Sequence, residues 1–271
     1  MKQNLILFSF LLLSLGAYAA KVDTLRVFSK GMNSAIEVVT VVPEGDPSGK
    51  GYPVIYLLHG YGDNARGWVE KNPALTAIAD REKLIFICPD GKTGWYWDSP
   101  SNPSSRYEQF ISKELVAFAD SAYQTNPVRE ARAITGLSMG GHGAMWNGLR
   151  HPDVFGAIAS MSGGVDIRPF PNNWNMKEHL GERDQHPEVW DAHTVINLVP
   201  SIKNMEQAIY FDCGYSDFFF DVNTKLHEKL MEYKIDHDFQ VRPGTHNWDY
   251  WRNSLDYHVL FFTKYFNKAQ K

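Results

Sequence analysis

The chain contains 271 residues and carries a formal net charge of −4 at pH 7, from 27 basic and 31 acidic side chains. No run of basic residues interrupts this mildly acidic balance. Nucleic acid and anionic membrane surfaces are therefore poor candidates as partners.

The first twenty residues have the features of a secretory signal peptide. Lys2 precedes an apolar run from Leu5 to Leu15, and Ala17-Tyr18-Ala19 forms a cleavage site of the A-x-A type. The alternative is an uncleaved membrane anchor, but the apolar run is shorter than the roughly 20 residues that span a bilayer. The sequence thus predicts an exported protein, periplasmic or extracellular, in which residues 21–271 form a single domain. Only Lys2 is lost among the charges, which leaves 26 basic against 31 acidic residues.

Strand patterns follow along the rest of the chain. Thr24 to Ser29 and Ala35 to Val42 flank the turn-like Gly31-Met32-Asn33-Ser34, which favours a hairpin. The later segments are nearly continuous apolar runs, and such runs mark parallel strands that are buried on both faces of a sheet. These segments are Pro53 to Gly60, Leu84 to Cys88, Ala131 to Thr135, Ala157 to Met161, Ile209 to Cys213 and, with more polarity, Asp238 to Val241.

Helical patterns alternate with these strands, which predicts an α/β fold with right-handed crossovers. The predicted helices are Pro73 to Lys83, Tyr107 to Tyr123, Met139 to Arg150, Asp221 to Lys234 and Trp248 to Asn267. The segment from Val165 to Asn204 breaks the alternation with polar clusters, prolines, Trp174 and Trp190. A segment this long between two core strands is usually functional, so we expect it to form a cap or a pocket wall.

The two cysteines, Cys88 and Cys213, each end a predicted strand. An exported protein could form a disulfide from them. In the expected fold their strands are not neighbours, so both are predicted to be free thiols in the core.

A candidate nucleophile lies between a predicted strand and a predicted helix. Gly136-Leu137-Ser138-Met139-Gly140 follows Ala131 to Thr135 and precedes the helical stretch that ends at Arg150. The G-x-S-x-G string alone is a weak signal, and a Gly-rich turn without chemistry is its plain alternative. The strand before it and the helix after it are what a nucleophile elbow needs, because the sharp turn exposes the Ser138 hydroxyl at the carboxyl edge of the sheet.

A serine nucleophile needs a base that removes its proton and an acid that orients the base. In hydrolases with an elbow of this kind, the order along the chain is Ser, acid, His. His246 lies in a loop just after the last predicted strand, whereas His227, His237 and His258 fall within helices or at the start of a strand. We therefore expect His246 to be the base.

The candidate acid is Asp217, in a loop after the strand Ile209 to Cys213. Asp212 lies inside that strand, and Asp221 begins the next helix, where a carboxylate is explained as an N-terminal cap. The alternative role for Asp217 is that of a turn former, which is common for Asp in such loops.

An oxyanion hole requires two backbone N–H groups that point at the developing negative charge. The amide of Met139, directly after the nucleophile, is one candidate, and the amide of Tyr61, in the loop after the first parallel strand, is the other. His59 in the same loop is expected to have a structural hydrogen-bonding role. The sequence predicts no metal site and no cofactor, because no His pair has the spacing of a zinc protease and two lone cysteines cannot form a zinc site.

Taken together, these motifs resemble the esterase D family of α/β-hydrolases, and more narrowly bacterial feruloyl and acetyl-xylan esterases. The resemblance implies an α/β-hydrolase fold, with a mostly parallel central sheet flanked by helices. It also implies a Ser138, Asp217 and His246 triad with the Tyr61 and Met139 amides as oxyanion hole. The matching pieces are Tyr56 to Gly62, Pro89-Asp90-Gly91, Gly94 to Pro100, Glu114-Leu115, Gly136 to Gly141, Asp212 to Asp217 and Pro243 to Trp251.

The expected activity is that of a secreted serine esterase which acts on feruloyl esters of plant polysaccharide, with a small-molecule ester or a feruloylated or acetylated oligosaccharide as its ligand. Alternatives are an acetyl-xylan or short-chain esterase, an S-formylglutathione hydrolase, a peptidase or a non-catalytic carbohydrate-binding domain. Aromatic side chains are expected to supply a flat pocket or a sugar platform, while core packing is their alternative role. These candidates are Trp95, Tyr96, Trp97 and Trp248, with Trp174 and Trp251 as further possibilities.

Overall fold

A computed structural model describes residues 20–47 and 49–269, and its centre is one eight-stranded sheet. The strands lie in the order β1-β2-β4-β3-β5-β6-β7-β8. Their bounds are β1 Lys21–Ser29, β2 Ser34–Val42, β3 Val54–Leu58, β4 Ile85–Pro89, β5 Arg132–Gly136, β6 Ala157–Met161, β7 Ala208–Gly214 and β8 Asp238–Arg242. The predicted signal peptide, residues 1–20, lies outside the described residues except for Ala20.

Both predictions about strand direction are confirmed. β1 and β2 form an antiparallel hairpin, and β2 continues antiparallel onto β4. From β4 to β8 all neighbouring strands are parallel, so their carboxyl ends share one edge of the sheet. The edge strand β8 is only partly buried, which explains why its sequence is more polar than that of the central strands.

Helices cover both faces of the sheet and include the predicted ones, with small shifts of their ends. Their bounds are α1 Gly67–Lys71, α2 Leu75–Glu82, α3 Tyr107–Gln109, α4 Leu115–Ala122, α5 Met139–Arg150, α6 Met176–Leu180, α7 Pro187–Ala192, α8 Phe220–Glu232 and α9 Trp248–Ala269. The predicted helix from Tyr107 to Tyr123 contains a π-helical turn at Phe110–Glu114 between α3 and α4. At the end of that turn, the Glu114 carboxylate accepts hydrogen bonds from the Ser29 hydroxyl and the Gly31 amide of the hairpin.

Two apolar cores pack on opposite faces of the sheet, as the alternation of side chains along a strand requires. On β3, Tyr56 and Leu58 face one core, whereas Ile55 and Leu57 face the other. All five residues of β3 are buried, which accounts for its continuous apolar sequence.

The segment from Val165 to Asn204 is folded rather than a plain loop. It contributes α6, α7 and a 3₁₀ helix at Val195–Ser201, and it packs buried apolar side chains, among them Ile167 and Trp190, on the core. The segment is therefore a folded part of the domain, and its role as a cap or pocket wall stays a prediction.

The cysteine prediction is confirmed as well. Cys88 on β4 and Cys213 on β7 are both buried and free, and four strand-to-strand steps separate their strands in the sheet order. Burial raises the pKa of both thiols, which keeps them protonated at neutral pH. Across the described ranges, no helix is both long and apolar enough to cross a bilayer.

Candidate active site

Ser138 lies on the sharp turn between β5 and α5. Its φ angle is +55°, a left-handed value that residues other than glycine rarely adopt. Two glycines allow the strand and the helix to approach each other closely. A Cβ atom at Gly136 would lie 2.6 Å from the Gly140 carbonyl carbon, and one at Gly140 would lie 2.5 Å from the Leu58 carbonyl oxygen. This is the strand, turn and helix geometry of a nucleophile elbow.

The structure brings the predicted acid and base to this turn. The Nε2 atom of His246 is 2.8 Å from the Ser138 hydroxyl oxygen, and its Nδ1 atom is 2.8 Å from Oδ2 of Asp217. The Asp217 side chain is fully buried, and its Oδ1 atom accepts a hydrogen bond of 2.8 Å from the Phe219 amide. With the proton on Nδ1, the ring donates to Asp217 and its Nε2 atom is free to accept the Ser138 proton.

Backbone hydrogen bonds join the loops that carry the acid and the base. At the carboxyl ends of β7 and β8, the Tyr215 amide donates to the Arg242 carbonyl at 3.0 Å, and the Ser216 amide donates to the Gly244 carbonyl at 3.1 Å. Asp212 on β7 forms a buried ion pair of 2.8 Å with Arg242 on β8. These contacts fix the register of the two strands and thereby the positions of both loops.

The alternative acids and bases form their contacts elsewhere. Asp212 is paired with Arg242, and Asp221 is exposed in the first turn of α8. The rings of His227 and His237 contact each other, with Nδ1 of His227 2.7 Å from Nε2 of His237. The His258 ring is buried, with its Nδ1 atom 2.8 Å from the Thr135 hydroxyl.

The two candidate oxyanion amides belong to the two segments that meet at the nucleophile. Met139 is the first residue of α5, so its amide is at the positive end of the helix dipole. The loop that contains Tyr61 runs beside the elbow, because a Cβ atom at Gly60 would lie 3.4 Å from the Ser138 Cβ atom. Among the described residues, neither the Met139 amide nor the Tyr61 amide donates a hydrogen bond to an acceptor. His59 has the expected structural role, since Nδ1 lies 2.7 Å from the Gly60 carbonyl and Nε2 accepts from the Gly91 amide at 2.9 Å.

The structure corrects the expectation of an exposed aromatic platform at Trp95, Tyr96 and Trp97. At most 1% of the surface of each of these three residues is exposed. Trp95 and Tyr96 have positive φ angles, and this backbone turn directs the loop's rings into the core. The Trp97 indole donates to Nε2 of His142 at 2.7 Å, and burial lowers the pKa of His142 to about 3, which keeps that acceptor neutral. Core packing, the alternative interpretation, is what the structure shows.

Trp248 keeps a partly exposed ring, and its predicted role in substrate binding stays a prediction. It is partly buried against the Trp68 ring of α1, at 5.0 Å between ring centroids, with the Lys71 ammonium 5.1 Å from the centroid of its own ring. The Trp251 ring lies next to the candidate base, with its centroid 4.9 Å from that of the His246 ring.

A different group of aromatic side chains borders the site, and we call it the aromatic wall. The ring of Phe218 lies 4.2 Å from that of His246 and stacks on Trp174 at 5.6 Å. Phe218 is 51% exposed, and Trp174 is partly exposed. Sequence reasoning missed three of its members, although the run Phe218-Phe219-Phe220 directly after the candidate acid was a visible signal. The aromatic wall consists of Phe170, Trp174, Phe218 and Phe219.

Comparisons with known proteins decide the family. The Esterase family model matches residues 29–262, which is most of the chain. The chain belongs to the Esterase family. Within the described ranges, no group of three or more His, Cys, Asp or Glu side chains is arranged to hold a metal ion.

Members of this and related groups share much of the chain's length. An acetyl esterase from Caldicellulosiruptor saccharolyticus is 24% identical over 85% of this chain and 94% of that protein. The S-formylglutathione hydrolase of Bos taurus is 23% identical over 79% of this chain and 84% of its own length. A solved ferulic acid esterase structure is 28% identical, covers 92% of this chain and 99% of that one, and superposes with a TM-score of 0.77.

These matches confirm the esterase D-like resemblance and the α/β-hydrolase fold that the motifs predicted. The chain is an esterase.

Proposed function

We propose that the chain is an exported serine carboxylester hydrolase that releases hydroxycinnamoyl groups, such as ferulate, from plant cell-wall polysaccharide. The observation that carries the proposal is the aromatic wall beside a Ser138, His246 and Asp217 relay. The relay supplies the chemistry of ester cleavage, and the wall supplies a surface for an aromatic acyl group.

The geometry supports a two-step mechanism through an acyl-enzyme. His246 removes the proton from Ser138 as the oxygen attacks the ester carbonyl, while Asp217 stabilises the imidazolium that forms. The amides of Tyr61 and Met139 stabilise the negative charge on the carbonyl oxygen. His246 then donates its proton to the leaving alcohol, and a water molecule, activated by the same base, hydrolyses the Ser138 ester.

The aromatic wall favours a planar aromatic acyl group over a small one. A ferulate ring can bury its faces and edges against Phe218 and Trp174, and aromatic pairs gain about 0.5–1.5 kcal/mol beyond their area burial. An acetyl group buries little apolar area and gains little from the wall. The ferulic acid esterase structure, which is 28% identical to this chain, is consistent with this preference.

Export rests on the sequence of residues 1–20. The basic residue, the apolar run and the A-x-A site support it, and β1 begins at Lys21, the residue after the predicted signal peptide. Fractionation of cells that express the full chain or a chain without residues 2–20 tests this part. Retention of both forms in the cytoplasm would contradict export.

Cleavage of acetyl groups is the second candidate, because an acetyl esterase aligns with 85% of the chain. The S-formylglutathione hydrolase relative makes thioester cleavage a third outcome to measure. A side-by-side determination of kcat/KM for methyl ferulate, acetylated xylan and S-formylglutathione separates them. We expect methyl ferulate to have the highest value, and a higher value for either other substrate would overturn the feruloyl assignment.

The serine mechanism has a separate test. Hydrolysis of p-nitrophenyl acetate is measured for the wild type, for Ser138→Ala and for Ser121→Ala, which removes an exposed hydroxyl on α4. We expect Ser138→Ala to lose almost all turnover and Ser121→Ala to retain it. Equal rates for Ser138→Ala and the wild type would indicate a non-catalytic binding domain or a different nucleophile.

A further inference from the structure

A group of polar side chains is buried between the sheet and α9, and we call it the buried polar network. Four of its five members are 0% exposed, and the side chain of the fifth, Arg242, is 11% exposed. Three members belong to strands and two to the helix. They are Thr135 on β5, Asp212 on β7, Arg242 on β8, and Ser254 and His258 on α9.

Asp212 is at the centre of this network. Its Oδ2 atom lies 2.8 Å from the Arg242 guanidinium, and its Oδ1 atom accepts a hydrogen bond of 3.1 Å from the Ser254 hydroxyl. Nε2 of His258 is 3.5 Å from Oδ2 of Asp212, a longer contact than the others. Nδ1 of the same ring is 2.8 Å from the Thr135 hydroxyl. Because β6 lies between β5 and β7, the His258 ring connects two strands that are not neighbours.

The buried polar network touches each of the three strands that lead to the relay. β5 leads to the elbow, β7 to the loop of the acid, and β8 to the loop of the base. Few residues separate the network from the relay in each case, so a displacement of the strand also displaces the side chain of the relay. The pairs, each no more than five residues apart along the chain, are Thr135 and Ser138, Asp212 and Asp217, and Arg242 and His246.

The Arg242 side chain is held on several sides. Its Nη1 atom donates to the Gln240 side chain at 2.9 Å, and its guanidinium carbon lies 5.1 Å from the ring centroid of Tyr250 and 4.2 Å from that of Tyr257. Burial opposes the charged form of Arg242, but the Asp212 carboxylate outweighs burial and raises the pKa of Arg242. The guanidinium therefore stays charged where it faces Asp212.

Stability alone does not account for a polar group of this kind. Moving two charges out of water costs free energy that their attraction often repays only in part, and apolar side chains of similar volume can be equally or more stabilising. Elsewhere on the same face of the sheet the strands do carry apolar side chains, such as Ala133 and Ala157. Hydrogen bonds differ from apolar contacts in having a fixed length and direction. The polar members therefore set the relative positions of strands more sharply than apolar residues would.

We propose that Asp212 is a positioning residue, which acts through the buried polar network to hold the relay at its contact distances. This inference rests on the proposed serine mechanism, because it concerns the same relay. Both contacts of His246 in the relay measure 2.8 Å. A misplacement of about 1 Å in an active site can lower the rate about 10²-fold. The aromatic wall lies outside the network, so the loss should appear in kcat rather than in KM.

Two matched variants test this proposal. Asp212 and Glu108 are both buried carboxylates paired with an arginine, but Glu108 contacts Trp146 of the core on the other face of the sheet. Kinetics on p-nitrophenyl acetate are measured at a temperature where circular dichroism shows both variants to be folded. We expect kcat to fall about 10²-fold in Asp212→Asn with little change in KM, and to be retained in Glu108→Gln. An unchanged kcat in folded Asp212→Asn, or an equal loss in Glu108→Gln, would overturn the proposal.

A second pair of variants decides the question if Asp212→Asn does not fold. Thr135→Val removes the hydroxyl that contacts His258 and keeps the shape of the side chain, whereas Thr135→Ser keeps the hydroxyl. We expect kcat to fall about tenfold in Thr135→Val, as the loss of one hydrogen bond implies, and to stay close to the wild-type value in Thr135→Ser. Equal kcat values for the two variants would contradict a positioning role for the network.

Covalent labelling by a fluorophosphonate separates this proposal from the serine mechanism on which it rests. In the labelling step the Ser138 oxygen bonds to phosphorus, fluoride leaves, and His246 accepts the hydroxyl proton. We expect the wild type to be labelled at Ser138 and Asp212→Asn to be labelled about 10²-fold more slowly. Equal labelling rates would overturn the positioning role and leave the serine mechanism standing. A wild type that is not labelled at Ser138 would overturn the serine mechanism itself.

Discussion

Two groups of aromatic side chains lie near the carboxyl edge of the sheet and have opposite surroundings. The aromatic core, formed by Trp95, Tyr96 and Trp97, is buried, and its polar atoms are hydrogen-bonded to protein groups. In the aromatic wall, by contrast, Phe218 is half exposed and contacts the His246 ring. Aromatic residues near this edge therefore occur in two environments, and only the wall includes a ring, that of Phe218, with a largely exposed surface.

From this contrast we expect the aromatic core to contribute mainly to stability and the exposed part of the aromatic wall to contribute mainly to turnover. A residue of the aromatic core has no free surface for a substrate, so its loss should reduce stability first. Phe218, the exposed member of the aromatic wall, belongs to neither apolar core, so its loss should alter catalysis first.

On the catalytic side, Asp217→Asn should have the largest effect. The amide cannot hold His246 in the tautomer that accepts the Ser138 proton, so we expect kcat to fall about 10⁴-fold. Asp221→Asn, which changes the exposed carboxylate at the start of α8, should retain turnover close to that of the wild type. Steady-state kinetics on p-nitrophenyl acetate measure both variants. If Asp221→Asn lost turnover and Asp217→Asn retained it, Asp217 would not be the catalytic acid.

On the stability side, Trp97→Ala should remove a large part of the core. Truncation of a buried tryptophan lowers the free energy of unfolding by about 3–5 kcal/mol. The loss of the Trp97 indole also leaves Nε2 of His142 without its hydrogen-bond donor. Phe218→Ala is the matched change in the aromatic wall, and we expect it to cost less than about 1 kcal/mol. Urea denaturation measures both. Similar losses of unfolding free energy in the two variants would contradict the proposed difference between the aromatic core and the aromatic wall.

Glu108 should make the free energy of unfolding depend on pH. Its buried carboxylate accepts from Trp146, which stacks on His142, and contacts Arg150 and His151. Burial opposes ionisation, but hydrogen bonds from His151 and Arg150 outweigh it and lower the pKa of Glu108 from 4.5 to about 2. A lowered pKa stabilises the folded state above pH 4.5, and this stabilisation is lost as the pH falls towards 2.

We therefore expect Glu108→Gln to be less stable than the wild type by up to about 3 kcal/mol at pH 7, with the difference shrinking below pH 4.5. Urea denaturation at pH 7, 4.5 and 3 follows the difference. Glu130→Gln, at a partly exposed carboxylate, is the control, and a difference for Glu108→Gln that stays constant down to pH 3 would contradict the ionic origin.

The sequence predicted the parts of the fold and site that have local signals. Continuous apolar runs mark strands buried on both faces, and the small residues around Ser138 mark a turn where two backbones meet. Ser138, Asp217 and His246 follow β5, β7 and β8, and they occur in the chain order expected for a hydrolase with such an elbow. The structure brings these three side chains together at the distances that a proton relay needs.

The placement of the aromatic side chains could not be predicted in the same way. The inward orientation of Trp95 and Tyr96 depends on their positive φ angles. The residue types alone do not predict these angles. Contacts such as that between Trp174 and Phe218 join the 165–204 segment to the loop after β7. The pairing of such distant segments is a property of the packed molecule rather than of any local pattern.

The most direct test of the aromatic wall is a ratio of two specificity constants. We compare kcat/KM for methyl ferulate with kcat/KM for p-nitrophenyl acetate, in the wild type and in Phe218→Ala. The loss of the stacking surface should lower the ratio about tenfold, because ferulate has an aromatic acyl group to pack and acetate does not. A ratio that stays unchanged in Phe218→Ala would contradict a role for the wall in recognising the acyl group.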